Sequence, residues 1–450
     1  MGKYFGTDGI RGVAGSELDA ELAFKVGRAA ATVLAKDNES KSRILIARDT
    51  RISCDMLEAA LTAGLCSAGA DVMLLGVLPT PAVAYLTVRT GASAGVVISA
   101  SHNTFEHNGI KLFGKNGYKL SDALEDRIEQ LIADDSNVSK KTGSDLGRIS
   151  GDHVFWTDEY VKSLTEAARG QYKGRIAIDC GNGAASETAR ALFRELGAEF
   201  EIICDEPDGV NINENCGSTN IAQLQNMMKS GRFSIGFAFD GDADRCLIVD
   251  ERGEIVDGDM ILCVLAREMM AAGELKGGAV VGTVNSNSGT DIFARENGFD
   301  FKRAQTGDRY VLEMMRDIGS NLGGESSGHI IFSDDATTGD GQLTAIKFLN
   351  VVTASERAVS EIVSGIPRYP QVMPSYRLSG GAEERDLIMA SSLLREEIAL
   401  QEESLGGEGR ILVRPSGTEP VIRVLVEAKT EALASEKAEH LISVMKAIVE

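Results

Sequence analysis

Short apolar runs alternate with helix-like stretches along the first three quarters of the chain, and the alternation repeats. Residues 43–50 (RILIARDT), 174–183 (GRIAIDCGNG) and 278–289 (GAVVGTVNSNSG) are strand-like runs that end in turns. Each leads through a helical segment to a second run at 68–75, 196–203 or 297–304, where Gly69, Gly197 and Gly298 stand where a helix-ending glycine belongs. A third strand follows in each copy and ends in a polar loop: 94–103 (AGVVISASHN), 234–245 (SIGFAFDGDADR) and 321–329 (NLGGESSGH). A strand–helix–strand unit predicts a largely parallel sheet covered by helices. Ligands gather at the carboxyl ends of strands in such sheets, so three equivalent loops predict a cleft shared between domains.

Near residue 366 the pattern changes. Residues 364–376 (SGIPRYPQVMPSY) are proline-marked and read as a linker. A polar helix (384–403), a tight hairpin (410–428) and an amphipathic helix (432–449) follow, which together predict a small α+β domain. The expected fold is therefore α/β, with three related α/β/α domains at 1–152, 153–256 and 257–366 and an α+β domain at 367–450.

Composition narrows the partners. A chain of 450 residues is too long for a single core, and 43% hydrophobic, 25% charged residues with 49 glycines and 8 prolines is a globular balance. The net charge of −21 repels nucleic acid and anionic membranes, so neither is an expected partner, while a small anionic substrate held by local cations is compatible. Seven cysteines without a C-x-x-C pair read as reduced cytosolic thiols, neither disulfides nor zinc ligands. No basic, apolar leader opens the sequence, and Gly6 stands where a myristoylation signal needs Ser or Thr. The longest apolar stretch, 59–88, is interrupted by Gly64, Gly69, Asp71, Pro79 and Pro81, which argues against a membrane span. A cytoplasmic location is expected.

Five loops are candidates to carry chemistry. Residues 99–111 (SASHNTFEHNGIK) set Ser101 beside His102 and lead to Lys111, which suits either a nucleophile or a capping serine. In 240–245 (DGDADR), Asp240, Asp242 and Asp244 alternate with small residues, so an extended backbone would point all three carboxylates the same way. Such carboxylates repel unless a cation sits among them, and hard oxygen ligands select Mg²⁺ or Ca²⁺. An EF-hand loop nearly fits, with Glu251 at its twelfth position, but Arg245 replaces the required glycine and the flanks read as strands. In 414–423 (RPSGTEPVIR), Arg414 and Arg423 flank Ser416, Gly417 and Thr418, a set suited to phosphate oxygens. Glu325, Ser327 and His329 offer an acceptor, a hydroxyl and a ring to sugar hydroxyls. Residues 6–11 (GTDGIR) form a turn ending on Arg11. The match of 109–116 (GIKLFGKN) to a phosphate-binding P-loop fails at Asn116, and the helix begins later, with Ser121 as N-cap. These parts describe metal-assisted phosphoryl transfer without a nucleotide, the phosphoryl group coming from the substrate or the protein.

The motifs GTDGIRG, SASHN…NGIK, DGDADR, GESSGH and RPSGTEP occur in this order in the α-D-phosphohexomutase superfamily, and the chain resembles its bacterial phosphoglucosamine mutase branch from Tyr4 to Val426. The resemblance implies four domains, heart-shaped around a central cleft. It implies that Ser101 is carried as a phosphoserine, which donates its phosphoryl group to glucosamine 6-phosphate. A 1,6-bisphosphate, both intermediate and activator, then turns over in the cleft and releases glucosamine 1-phosphate for UDP-N-acetylglucosamine synthesis. By the same resemblance, one Mg²⁺ per subunit would be held by Asp240, Asp242, Asp244 and the phosphoserine, and Arg11 and Arg245 would contact the moving phosphoryl. Lys111 or His102 would be the acid/base, and Glu325, Ser327 and His329, with Asp308 and Arg309 of TGDRYVLE, would hold the sugar. Arg414, Ser416, Gly417, Thr418 and Arg423 would hold the non-reacting phosphate, and a homodimer is expected. Two residues depart from the branch: Thr104 replaces the usual proline, and Ala243 replaces the usual glycine, as in phosphomannomutases and phosphoglucomutases. Asp308 and Arg309 point back to the glucosamine branch. The alternatives are thus a phosphomannomutase/phosphoglucomutase or a non-catalytic Ca²⁺- or carbohydrate-binding protein.

Overall fold

The computed structural model describes residues 4–6, 8–34, 41–416 and 420–449. Three of its four sheets share one plan. In the first, Arg43–Arg48 pairs in parallel with Asp71–Val77 on one side and Ala94–Ile98 on the other, and His107–Gly114 adds antiparallel to the latter. Arg175–Asp179, Glu199–Ile203, Ile235–Phe239 and Cys246–Asp250 repeat this arrangement, as do Ala279–Thr283, Asp300–Ala304, Leu322–Gly324 and Ile330–Phe332. The order across all three sheets is fourth, third, first, second strand. Gly9–Val13 and Phe5–Gly6 extend the first sheet beyond its fourth strand, and Ile149–Gly151 closes the opposite edge.

Each functional loop of these three sheets joins the third strand to the fourth. The sheets are therefore mixed: two parallel pairings place the helices, and one antiparallel hairpin projects the loop. The third strands Ala94–Ile98 and Ile235–Phe239 are buried along their whole length, as expected of strands covered on both faces.

The C-terminal sheet differs from the sequence expectation in two ways. The proline-marked segment is more than a linker, because Gln371–Val372 and Ser375–Arg377 pair with Val421–Glu427. Pro370 and Pro374 still contribute, accepting hydrogen bonds from Ala428 and Val424 through their carbonyls. The helix expected over 384–403 is two helices, Gly381–Ala390 and Ser392–Ser404, because Ser391 adopts an extended conformation and caps the second. Asp122–Ala133 begins after Ser121 as expected, although the Ser121 side chain makes no cap hydrogen bond.

A continuous apolar cluster runs through the first three sheets, from Leu45 and Leu78 through Phe193 and Phe237 to Phe293 and Phe348. The last of these lies on the apolar helix Gly341–Ser355, which also covers the second sheet. The fourth sheet keeps its own core around Ile388, Val424 and Leu441. Among the described residues no helix is long and apolar enough to cross a membrane.

Helices Ala20–Val33 and Ser53–Ser67 pack at reciprocal glycines. A Cβ at Gly64 would lie 2.2 Å from the Phe24 carbonyl oxygen, and one at Gly27 would lie 2.3 Å from that of Leu61. Gly64→Val should therefore destabilise the first domain by about 1–3 kcal/mol through overpacking, read as a lowered urea midpoint. An unchanged midpoint would show that the helices separate without cost.

Candidate active site

Ser101 lies in the turn that follows the third strand of the first sheet, Ala94–Ile98, and sits in the left-handed region with φ 53°. A non-glycine residue stays there only if its surroundings hold it, and here they do. The Ser99 hydroxyl accepts the Ser101 N–H at 2.9 Å. Arg51, 1% exposed, donates to the carbonyls of Ser101 (3.1 Å) and Asn103 (2.6 Å). From the second domain, Asn213 donates to the same two carbonyls at 2.9 Å each. Arg51 is itself paired with buried Asp49. The Ser101 hydroxyl, so fixed, donates to Asp240 at 2.7 Å.

The acidic loop is not extended. Residues 241–244 form a turn in which Ala243 has φ 55°, so the three carboxylates converge by turning rather than by strand alternation. Its flanks are strands, which removes the EF-hand, and Glu251 bonds instead to Ser360. Gly241 lets this loop meet the first domain, since a Cβ there would lie 2.5 Å from the Ser101 carbonyl oxygen.

The carboxylate oxygens of Asp240, Asp242 and Asp244 lie within 4.8 Å of one another, all buried. Burial, then Asp244 and Asp242, push Asp240 up to about 8. Asp242 Oδ1 and Asp244 Oδ1 are buried yet accept no hydrogen bond. Three converging buried oxygen donors, two of them with an unpartnered carboxylate oxygen, fit a hard divalent cation.

Cations and backbone N–H groups from the first and third domains face this loop. Lys111, 2% exposed, donates to Asp242 at 2.7 Å and lies 3.7 Å from Asp244. Burial alone would lower its pKa, but Asp242, Asp8 and Asp244 outweigh that and raise it, so it is an ammonium. Two helix N-termini also point here: Thr80 donates its N–H to the Asp242 carbonyl (2.9 Å) and its hydroxyl to the Asp242 carboxylate (2.6 Å), and Gly341 N–H donates to the Ala243 carbonyl at 3.0 Å. Both favour nearby negative charge. His329 Nδ1 stands 3.6 Å from Asp244, and its Nε2 accepts the Gly339 N–H at 3.1 Å.

His102 lies 3.5 Å from the Ser101 hydroxyl, and Arg245 Nη1 approaches its Nδ1 at 3.2 Å. Burial, then Arg245 and Arg11, lower its pKa to about 4, so the ring is neutral at pH 7. Its Nδ1 lone pair therefore accepts the guanidinium proton.

The structure adds residues that the motifs did not single out. Asp8 pairs with Arg11, with Lys111 at 3.3 Å and with Lys119 at 2.5 Å, and Lys119 also reaches Asp308 at 2.7 Å. Burial would raise the Asp8 pKa, but Lys111, Lys119 and Arg11 hold it well below the ordinary carboxylate range. Asp8 lies inside the GTDGIRG motif and was within reach of sequence reading; Arg51, Thr80, Lys119 and Asn213 carry no local signal.

Of the remaining expected residues, Glu325 accepts the Gly307 N–H at 3.0 Å, and the Ser327 hydroxyl is buried without a hydrogen-bond partner. Asp308 joins the Lys119 pair, whereas Arg309 turns to Asp122 and to Glu313 (3.2 Å). Arg414 and Arg423 face each other across the C-terminal hairpin, and Arg414 donates to Asn285 of the third domain at 3.2 Å, not to the acidic loop. Burial, then Arg423, lower the Arg414 pKa. Ser416 N–H donates to the Val421 carbonyl at 2.9 Å, while Gly417 and Thr418 lie outside the described residues.

Family comparisons agree along the length of the chain. Residues 2–139, 158–253 and 257–369 match α/β/α domains I, II and III of phosphoglucomutase/phosphomannomutase, and 380–443 match its C-terminal domain. The phosphoglucosamine mutases of Acetivibrio thermocellus and Shouchella clausii are 49% and 47% identical, each alignment covering 99% of both chains. Among solved structures, a phosphoglucomutase/phosphomannomutase family protein from Burkholderia thailandensis is 26% identical with TM-score 0.81, over 98% of this chain and 97% of that one. Aspergillus fumigatus N-acetylphosphoglucosamine mutase, solved with GlcNAc-6P and magnesium, is 17% identical with TM-score 0.70 (99% and 96% covered) and shares the fold.

Arg51 generates a direct test of this geometry. Arg51→Met strands the buried Asp49 carboxylate, which should cost about 3–5 kcal/mol and appear as a lowered thermal midpoint. Wild-type stability would mean that Asp49 is neutralised without Arg51.

Proposed function

The chain belongs to the phosphoglucomutase/phosphomannomutase family, and on that premise we propose that it interconverts glucosamine 6-phosphate and glucosamine 1-phosphate, as its relatives' name indicates. The carrying observation is the Ser101 hydroxyl, 2.7 Å from a buried aspartate in a pocket of opposed charges. Four domains, taken as 1–152, 153–256, 257–366 and 367–450, each give one loop to the reaction, and the chain acts as a homodimer.

Ser101 is carried as a phosphoserine. The 1-hydroxyl oxygen of glucosamine 6-phosphate bonds to phosphorus as the Ser101 Oγ–P bond breaks, which gives glucosamine 1,6-bisphosphate. The bisphosphate reorients, and Ser101 Oγ then takes the 6-phosphoryl group, so glucosamine 1-phosphate leaves and the phosphoenzyme is restored. Mg²⁺ bound by Asp240, Asp242 and Asp244 with the phosphoserine would neutralise charge on the moving phosphoryl group. Arg11 and Arg245 orient that group's oxygens. Lys111, an ammonium, gives its proton to Ser101 Oγ as the P–O bond breaks and then takes the sugar hydroxyl proton, because the His102 lone pair is taken by Arg245. Glu325, Ser327, His329 and Asp308 hold sugar hydroxyls, with Arg309 at the rim. Arg414, Ser416, Gly417, Thr418 and Arg423 grip the phosphate that is not reacting.

Ala243 supports a second reading, turnover of mannose or glucose phosphates, because it holds a left-handed conformation where the glucosamine branch has glycine. Rates on glucosamine 6-phosphate, mannose 1-phosphate and glucose 1-phosphate, each with a trace of the sugar 1,6-bisphosphate, separate the two. Glucosamine 6-phosphate should be the fastest, and equal or faster neutral sugars would select the second reading.

Intact mass should show a phosphate-sized addition that Ser101→Ala removes together with activity. Absence of both from the wild-type protein would leave a non-catalytic binding protein. Asp242→Ala should lose the Mg²⁺ response of turnover, as should the wild type treated with EDTA. Retained metal-independent turnover in either would take the aspartates out of the metal site.

A further inference from the structure

Outside the reaction pocket, the second domain brings two thiols together. Cys204 follows the strand Glu199–Ile203, and Cys216 closes the loop that begins there. Their sulfurs and an Asp179 carboxylate oxygen all lie within 4.8 Å of one another. Cys204 is partly exposed and Cys216 buried, so one sulfur can be attacked from solvent and the other is positioned to resolve the product. Cys180 is close in sequence to Asp179 but buried, and its thiol points to the Ala185 carbonyl at 3.8 Å.

The loop between the two thiols is the one that holds the nucleophile. It carries Asn213, whose N–H is anchored on the Gly181 carbonyl at 2.9 Å and whose amide grips the Ser101 and Asn103 carbonyls. The opposite wall is tied to the same place: Asn182 N–H donates to the Cys204 carbonyl at 2.6 Å, and the Asn182 carbonyl accepts from Thr50, the neighbour of Arg51. Asp179 spans the neck, accepting the Gly181 and Gly217 N–H groups at 2.9 Å each.

We propose that Cys204 and Cys216 form a reversible disulfide that resets the loop clamping the Ser101 backbone. The oxidant is a low-molecular-weight disulfide. The Cys204 thiolate, its proton lost to solvent, attacks one sulfur of that disulfide, giving a mixed disulfide and one small thiolate. The Cys216 proton passes through Asp179 to solvent, and the Cys216 thiolate attacks the Cys204 sulfur and expels the second small thiolate. Both small thiolates are then protonated. Two protein thiols are oxidised, one small disulfide is reduced, and no other reactant is needed. Closing the sulfurs to the roughly 2.05 Å of a disulfide draws the neck together and shifts Asn213 against its two carbonyls. The covalent part stands independently, whereas its effect on turnover rests on the function proposed above.

The reduced full-length protein is incubated with glutathione disulfide, alkylated and mapped by peptide mass. A Cys204–Cys216 linked peptide is expected, with an intact mass lower by two hydrogens. Turnover should fall by about tenfold or more, as a small misplacement of a nucleophile loop would give, and return with dithiothreitol. Cys204→Ser and Cys216→Ser should keep the reduced rate and ignore the treatment. No linked peptide, a stable glutathione adduct alone, or a mass gain matching a bound metal ion would overturn the disulfide. A linked peptide with unchanged turnover would overturn its action on Ser101. An inactive reduced protein would count against the proposed function and leave the mass result standing.

Discussion

Three carboxylates buried within 4.8 Å of one another are the constraint on which the rest of the arrangement depends. Left alone they would repel strongly in a medium that screens poorly. The chain answers with charge from elsewhere: Lys111 and the Thr80 helix end from the first domain, and the Gly341 helix end from the third. They come from the domains on either side of the second, so the acidic loop is tolerable only when three domains are docked. The apolar cluster shared by those domains supplies that docking without directional demands.

The same docking prepares the nucleophile. Ser101 occupies a conformation that its own backbone disfavours, held by a buried arginine of its own domain and an asparagine of the next. Its oxygen direction is thus fixed before substrate arrives, which is how positioning contributes to a reaction with little covalent chemistry for the protein to perform. Glycine at 241 allows two loops of two domains to touch through their backbones.

The repeat was legible because its signals are local: apolar runs, helix-ending glycines and polar strand ends. All three glycines named from the sequence have positive φ, at 97°, 65° and 77° for Gly69, Gly197 and Gly298. The motifs likewise marked Ser101 and the aspartates. What stayed hidden is set by tertiary context. Asn213 and Thr80 look ordinary in sequence, since their roles lie in another domain's carbonyl or carboxylate. The acidic loop misled for a related reason: alternation along a strand and convergence in a turn leave the same D-x-D-x-D pattern, and only the conformation of Ala243 separates them. The break at Ser391 is a one-residue event inside a helical composition. The two short strands before the C-terminal hairpin exist because Val421–Glu427 offers them an edge.

Lys119, half-buried, sits between Asp8 of the first domain and Asp308 of the third, at 2.5 and 2.7 Å. One ammonium therefore serves two carboxylates that belong to opposite walls. Any widening between those walls must leave it with one partner and deprive the other, so the separation is a discrete choice between two pairings instead of a gradual stretch. Because Asp8 also touches Lys111, the wall that keeps the ammonium determines how much positive charge Lys111 can direct at the aspartates. The width of the cleft and the electrostatics at the serine are in this way a single variable.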